Sequence, residues 1–156
     1  MPIRILIADD HAVVRSGLRA LLSSDSDIEV VGEAADGAET LHRVAMLRPD
    51  LVLLDITMPH ESGIRVAQRL KEAHPTVQVL FLTMHEDEGL LHEALRTGAA
   101  GYVIKRAEES EILRAIHAVS RGDIYVHPAM PRALLHQPFT TEHRRGAPVI
   151  PLTSRE

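Results

Sequence analysis

Five short apolar runs punctuate this chain: Ile3 to Ala8, Ile28 to Ala35, Leu51 to Leu54, Val77 to Leu82 and Tyr102 to Ile104. Three are nearly continuous in apolar residues, as strands covered on both faces of a parallel sheet must be. Between the runs the apolar spacing turns helical. Val14, Leu18, Leu21 and Leu22 form one stripe, and Leu41, Val44, Ala45 and Arg48 a second with a polar final turn. Ile64, Ala67 and Leu70 make a third, Leu91, Ala94 and Leu95 a fourth, and Ile112, Leu113, Ile116 and Val119 a fifth. Pro49 and Pro75 fall just past the second and third stripes, where each helix must stop. Gly98 and Gly101 bracket the approach to the last run.

Strand and helix alternating in this way predict a doubly wound α/β sandwich, because parallel strands need helical crossovers of one hand. Functional groups in such sheets gather beyond the carboxyl ends of the strands. The first run ends in Asp9-Asp10, the third in Asp55, the fourth in Thr83 and the last in Lys105. The predicted fold thus collects three carboxylates, a hydroxyl and an ammonium at one edge. Carboxylates packed closely repel one another unless a cation joins them. Oxygen ligands with room for water suit Mg²⁺ rather than zinc. A site of that kind neutralises phosphoryl oxygens while a carboxylate attacks phosphorus in line. Lys105 offers a mobile point charge to a phosphoryl group, and Thr83 a hydrogen bond.

Composition removes several alternatives. There is no cysteine, so neither a disulfide nor a thiolate metal site can form. The net charge of -5 argues against this piece gripping nucleic acid by its phosphates. No apolar run approaches the ~18 residues of a membrane span, and the expected setting is cytoplasmic, without membrane contact. The histidines, His85 and His92 among them, lack the i, i+4 spacing of a helical zinc motif.

The ordered motifs resemble the receiver domain of bacterial two-component response regulators, of the NarL/FixJ family, over roughly residues 3–127. The matching segments are Ile5-Leu6-Ile7-Ala8-Asp9-Asp10-His11 with Arg15 and Gly17-Leu18, then Asp55-Ile56-Thr57-Met58-Pro59 with Gly63. Leu82-Thr83-Met84-His85 and Gly98-Ala99-Ala100-Gly101-Tyr102-Val103-Ile104-Lys105 follow. The resemblance implies a flavodoxin-like sheet of order 2-1-3-4-5. It implies that Asp55 accepts a phosphoryl group from the phosphohistidine of a sensor histidine kinase. Mg²⁺ (or Mn²⁺) would be held by Asp10 directly, Asp9 through water, Asp55, and the backbone carbonyl of Thr57. Thr83 and Lys105 would bind the phosphoryl group, and Thr83 with Tyr102 would carry the signal to the surface around the fourth and fifth helices. Three positions depart from the pattern. Arg106 stands where many receivers have proline, Ser62 where an Asp is common, and Met84 where a small residue is usual. Met84, with Thr57, is expected to tune access of water to the phosphoryl group.

After about Val126 the character changes, with Pro128, Pro131, Pro138, Pro148 and Pro151 beside the basic patch His143-Arg144-Arg145. The expected division is a receiver at 1–127, a short helix (129–137) and proline-rich mobile linker within 128–151, and a new helical domain beginning at 152–156. Thr153 and Glu156 have capping-box spacing, and the segment resembles the opening of a LuxR-type helix-turn-helix domain. The reading is a phospho-switched module rather than an enzyme. It forms a phosphorylation-dependent homodimer and reaches DNA only through that further domain. A phosphatase of the haloacid dehalogenase type would need an acid where Thr57 stands. An FMN protein would need a glycine- and hydroxyl-rich loop where Asp9-Asp10 stand. A receiver-like interaction module that works without phosphorylation is the remaining alternative.

Overall fold

The computed structural model describes residues 2–84, 88–104 and 109–126. Strands and helices alternate as β1 (Ile3–Ala8), α1 (Ala12–Ser23), β2 (Ile28–Ala34), α2 (Gly37–Leu47), β3 (Leu51–Asp55), α3 (Gly63–Ala73), β4 (Gln78–Thr83), α4 (Glu88–Arg96), β5 (Gly101–Ile104) and α5 (Glu109–Ser120). A short β6 (Tyr125–Val126) follows. The sheet runs β2-β1-β3-β4-β5-β6 with every pairing parallel. The flavodoxin-like order 2-1-3-4-5 is therefore present, with one strand more than the apolar runs predict. β6 is only two residues long, and its register comes from Tyr125 donating its N–H to the Ala100 carbonyl at 3.0 Å.

Alternation along the strands divides the core into two layers. Leu6, Ala8, Val52, Leu54, Val79, Phe81, Tyr102 and Ile104 meet Val44, Val66, Leu70, Leu91 and Leu95, from α2, α3 and α4. Ile5, Ile7, Leu51, Leu53, Leu80, Leu82 and Val103 meet Leu18, Leu22, Ile112, Ile116 and Val119, from α1 and α5. All five residues of β3 are buried, which explains why that run lacks a polar face.

The second stripe needs correction. Val44 is buried, but Ala45 is exposed and Arg48 lies outside the helix. Arg48 takes the left-handed conformation (φ 52°) as the C-cap, its N–H reaching the Val44 carbonyl. The chain then turns into Pro49, as it turns into Pro75 after the His74 cap of α3. β2 ends at Ala34, because Ala35 donates its N–H to Glu39 Oε1 at 2.8 Å and so belongs to the start of α2. The expected helix at 129–137, the proline-rich linker and the Thr153–Glu156 capping box lie outside the described residues.

Candidate functional site

β1 stops at Ala8, which is level with Leu54 on one side and Ala34 on the other. Asp9 therefore leaves the sheet beside Asp55, the last residue of β3. Both acids are nearly sealed from solvent, with Asp9 2% and Asp55 4% exposed. Carboxylates at that depth require partners. Asp9 Oδ1 accepts the His11 N–H at 2.8 Å, and Asp55 Oδ1 accepts the Thr57 N–H at 3.2 Å. These turns bend the chain away as soon as each acid is placed. The Asp10 side chain is more open, 29% exposed, and His11 Nδ1 lies 3.1 Å from its Oδ1 and 3.2 Å from Asp9 Oδ1. One ligand atom from each of Asp9, Asp10, Asp55 and His11 falls within 4.8 Å of the others.

Asp9 is held through both of its backbone polar groups. Asp9 donates its N–H to the Ala34 carbonyl at 3.0 Å, and its own carbonyl accepts from Arg15 at 2.7 Å. Arg15 also donates to Glu33 Oε1 at 3.0 Å, and Arg19 donates to Glu33 Oε2 at 2.6 Å. The hydrogen bond from Arg19, opposed by burial and joined by the hydrogen bond from Arg15 and the charge of both arginines, holds the Glu33 carboxyl below its ordinary range.

The far wall is the loop between β3 and α3. Gly63 donates its N–H to the Ile56 carbonyl at 2.6 Å. A Cβ at this position would strike the Asp55 carbonyl oxygen and sit 2.8 Å from Ile56 Cα. Only glycine lets the loop close this tightly behind Asp55. Ser62 caps α3 by accepting the Arg65 N–H at 3.3 Å, so the departure from the common Asp keeps a capping oxygen. Glu61 anchors the loop to α3 through Arg69, at 2.9 Å.

Thr83 closes β4 and is fully buried, paired in register with Ile104. Tyr102 pairs with Phe81 and is fully buried in the α2–α4 layer. It is an internal residue rather than a cap on the sheet edge. Thr83 and Tyr102 lie on one face of the sheet, one diagonal step apart. Met84, next after Thr83, is 58% exposed. Lys105 and Arg106 lie outside the described residues, though Ile104 brings the chain to the same edge.

The donor set fits a hard divalent cation. It is dominated by carboxylate oxygens, which favour Mg²⁺ or Mn²⁺. Among the described residues, Asp10 Oδ1 is buried and accepts no hydrogen bond, the nearby His11 ring nitrogen bonding Asp9 instead. A buried oxygen left in that state is costly, and a cation would satisfy it. The motifs contain His11 and Arg15, but their residue types alone do not reveal these contacts. Glu33 gives no signal in the sequence, being one acid on an edge strand.

The family model of the response regulator receiver domain matches residues 5–117. The oxygen regulatory protein NreC of Staphylococcus carnosus is 36% identical, over 97% of this chain and 77% of its own length. A LuxR-family two-component response regulator from Aurantimonas superposes with a TM-score of 0.83 at 31% identity, over 86% of this chain and 96% of that one. The isolated REC domain of RcsB from Salmonella enterica serovar Typhimurium, solved in the presence of the phosphomimetic BeF3-, gives a TM-score of 0.77 at 25% identity. That likeness covers 86% of this chain and 97% of that one. Sheet order, the acidic cluster at its carboxyl edge and the match over residues 5–117 agree: the chain belongs to the response regulator receiver domain family of two-component systems.

Proposed function

We propose that this chain is a phosphoryl-accepting switch with Asp55 as phosphoacceptor and the phosphohistidine of a sensor kinase as donor. A carboxylate oxygen of Asp55 attacks phosphorus, the phosphorus–nitrogen bond of the donor breaks, and an acyl phosphate forms beside neutral histidine. The observation that carries this reading is the convergence of Asp9, Asp10 and Asp55 within 4.8 Å at the carboxyl edge of the sheet. Asp9, Asp10, Asp55 and the Thr57 backbone carbonyl would hold Mg²⁺ (or Mn²⁺), which supplies positive charge to the phosphoryl oxygens when bound. Thr83 donates a hydrogen bond to the new dianion, and Lys105 supplies a point charge. Thr57 and Met84 tune the approach of water. Apart from its own phosphorylation and dephosphorylation the chain turns over no substrate.

The output runs through the layer that holds Tyr102. A dianion on Asp55 draws Thr83 toward it, and Tyr102, one diagonal step away, packs into the space vacated. The surface of α4, β5 and α5 then changes, and two phosphorylated copies pair. That pairing would bring together the DNA-binding units of two copies of the parent regulator. The similarity to an oxygen regulatory protein and to a LuxR-family response regulator supports a regulatory output. The chain meets its kinase in the cytoplasm; among the described residues no helix is long and apolar enough to cross a membrane.

Incubation with a small acyl-phosphate donor and Mg²⁺, followed by intact mass, tests the reading. One phosphoryl group should be gained, and Asp55→Asn should abolish the gain. No uptake by the native chain favours an interaction module that works without phosphorylation.

A further inference from the structure

Arg15 sits outside the acidic cluster, yet it donates to the Asp9 carbonyl at 2.7 Å. Its side chain is 18% exposed, and its guanidinium is held in turn by Glu33 at 3.0 Å. Glu33 is fixed from its other oxygen by Arg19 at 2.6 Å. The strand carrying Glu33 also supplies Ala34, whose carbonyl accepts the Asp9 N–H. The Asp9 N–H is thus anchored to β2, and the peptide plane between Asp9 and Asp10 is held by Arg15 at the Asp9 carbonyl. That plane decides where both carboxylates point.

We infer that Arg15, braced by Glu33, is a positioning residue that orients the Asp9-Asp10 pair for the divalent cation. The inference rests on the proposed metal-dependent function and names the part of the chain that prepares the site. Fixing ligands before the ion arrives lowers the ordering cost of binding, as outer partners do in other metal sites. Arginine suits the task because its planar fork can serve Glu33 and the Asp9 carbonyl together. Lysine has one ammonium and cannot span both partners with the same geometry. A guanidinium offers no lone pair to a cation, so the effect of Arg15 must act through the Asp9-Asp10 pair and appear in cation affinity.

The test titrates the whole chain with Mn²⁺ and follows the free-ion signal by electron paramagnetic resonance, at a temperature well below every variant's thermal midpoint. Arg15→Met should weaken Mn²⁺ binding about tenfold, the lower end expected for an outer-partner loss. Arg15→Lys should recover part of that loss, and Glu33→Gln should weaken binding in the same direction. Arg19→Met, which loosens Glu33 but leaves the Arg15 to Asp9 bond, should change affinity by less than about threefold. A native chain that binds Mn²⁺ and an Arg15→Met chain that binds it equally well would overturn the inference alone. That result would leave Arg15 a purely structural brace. If Arg15→Met does not fold, unchanged affinity in both Arg15→Lys and Glu33→Gln overturns it equally. A native chain without Mn²⁺ affinity removes the metal-dependent function and this inference with it.

Discussion

Each acid in the site owes its position to an ordinary backbone device. Asp9 follows the last residue of β1 and Asp55 is the last residue of β3, and each bends the next two residues by accepting an N–H. Gly63 is the residue with least freedom to change. A methyl there meets the Asp55 carbonyl, and nothing flexible can yield. Gly63→Ala should destabilise the chain by at least about 2 kcal/mol, measured by urea unfolding, and should disturb phosphoryl uptake with it. Met84 gives a finer test. Its side chain is exposed just past Thr83, and Met84→Ala should shorten the phosphorylated lifetime; an unchanged dephosphorylation rate refutes that role. Asp9, Asp10, Asp55 and Thr83 were legible because strand ends can be read from apolar runs. The contact of Arg15 with Glu33 spans 18 residues, and no local spacing encodes it. Tyr102 was legible as a partner of Thr83 only through the family resemblance, since a tyrosine on a last strand reads equally well as an edge cap.

Helix ends and surface ion pairs carry the next level. α2 begins with Asp36 accepting the Glu39 N–H at 2.8 Å while Glu39 reaches back to the Ala35 N–H at 2.8 Å. Asp36→Ala should cost about 1 kcal/mol in chemical unfolding. The Arg15–Glu33–Arg19 cluster joins α1 to β2, and its pH dependence has a definite sign. The folded carboxyl of Glu33 titrates below its ordinary value of 4.5. Its contribution to stability is complete above that value and is lost as pH falls through the folded pKa. Glu33→Gln should therefore flatten the acid limb of thermal midpoint against pH below about pH 4.5, with little change in shape above it. The elements themselves followed from periodicity, as β1, β3 and β4 do from near-continuous apolar runs. Arg48 misled because a left-handed cap leaves no trace in hydrophobic spacing. β6 was missed because two residues cannot establish a period, and its place depends on the Ala100 carbonyl.

For the molecule as a whole, the sheet separates chemistry from response. The acids lie off the ends of β1 and β3, while Thr83 and Tyr102 share the face that packs on α2, α3 and α4. In the proposed switch, phosphorylation at one edge reaches the surface of α4, β5 and α5 through that face. Thr83→Ala should still take up phosphoryl groups but lose the shift from monomer to dimer, as read by sedimentation with and without the phosphodonor. A retained shift would place the coupling elsewhere. The central claim concerns which carboxylate is modified, and residue-level mapping answers it most directly. The chain is phosphorylated in Mg²⁺, the acyl phosphate is reduced with borohydride, and the digested peptides are sequenced by mass. Reduction converts a phosphorylated aspartate to homoserine. Homoserine at position 55, with Asp9 and Asp10 unchanged, is the predicted result; modification at another acid, or at none, contradicts it.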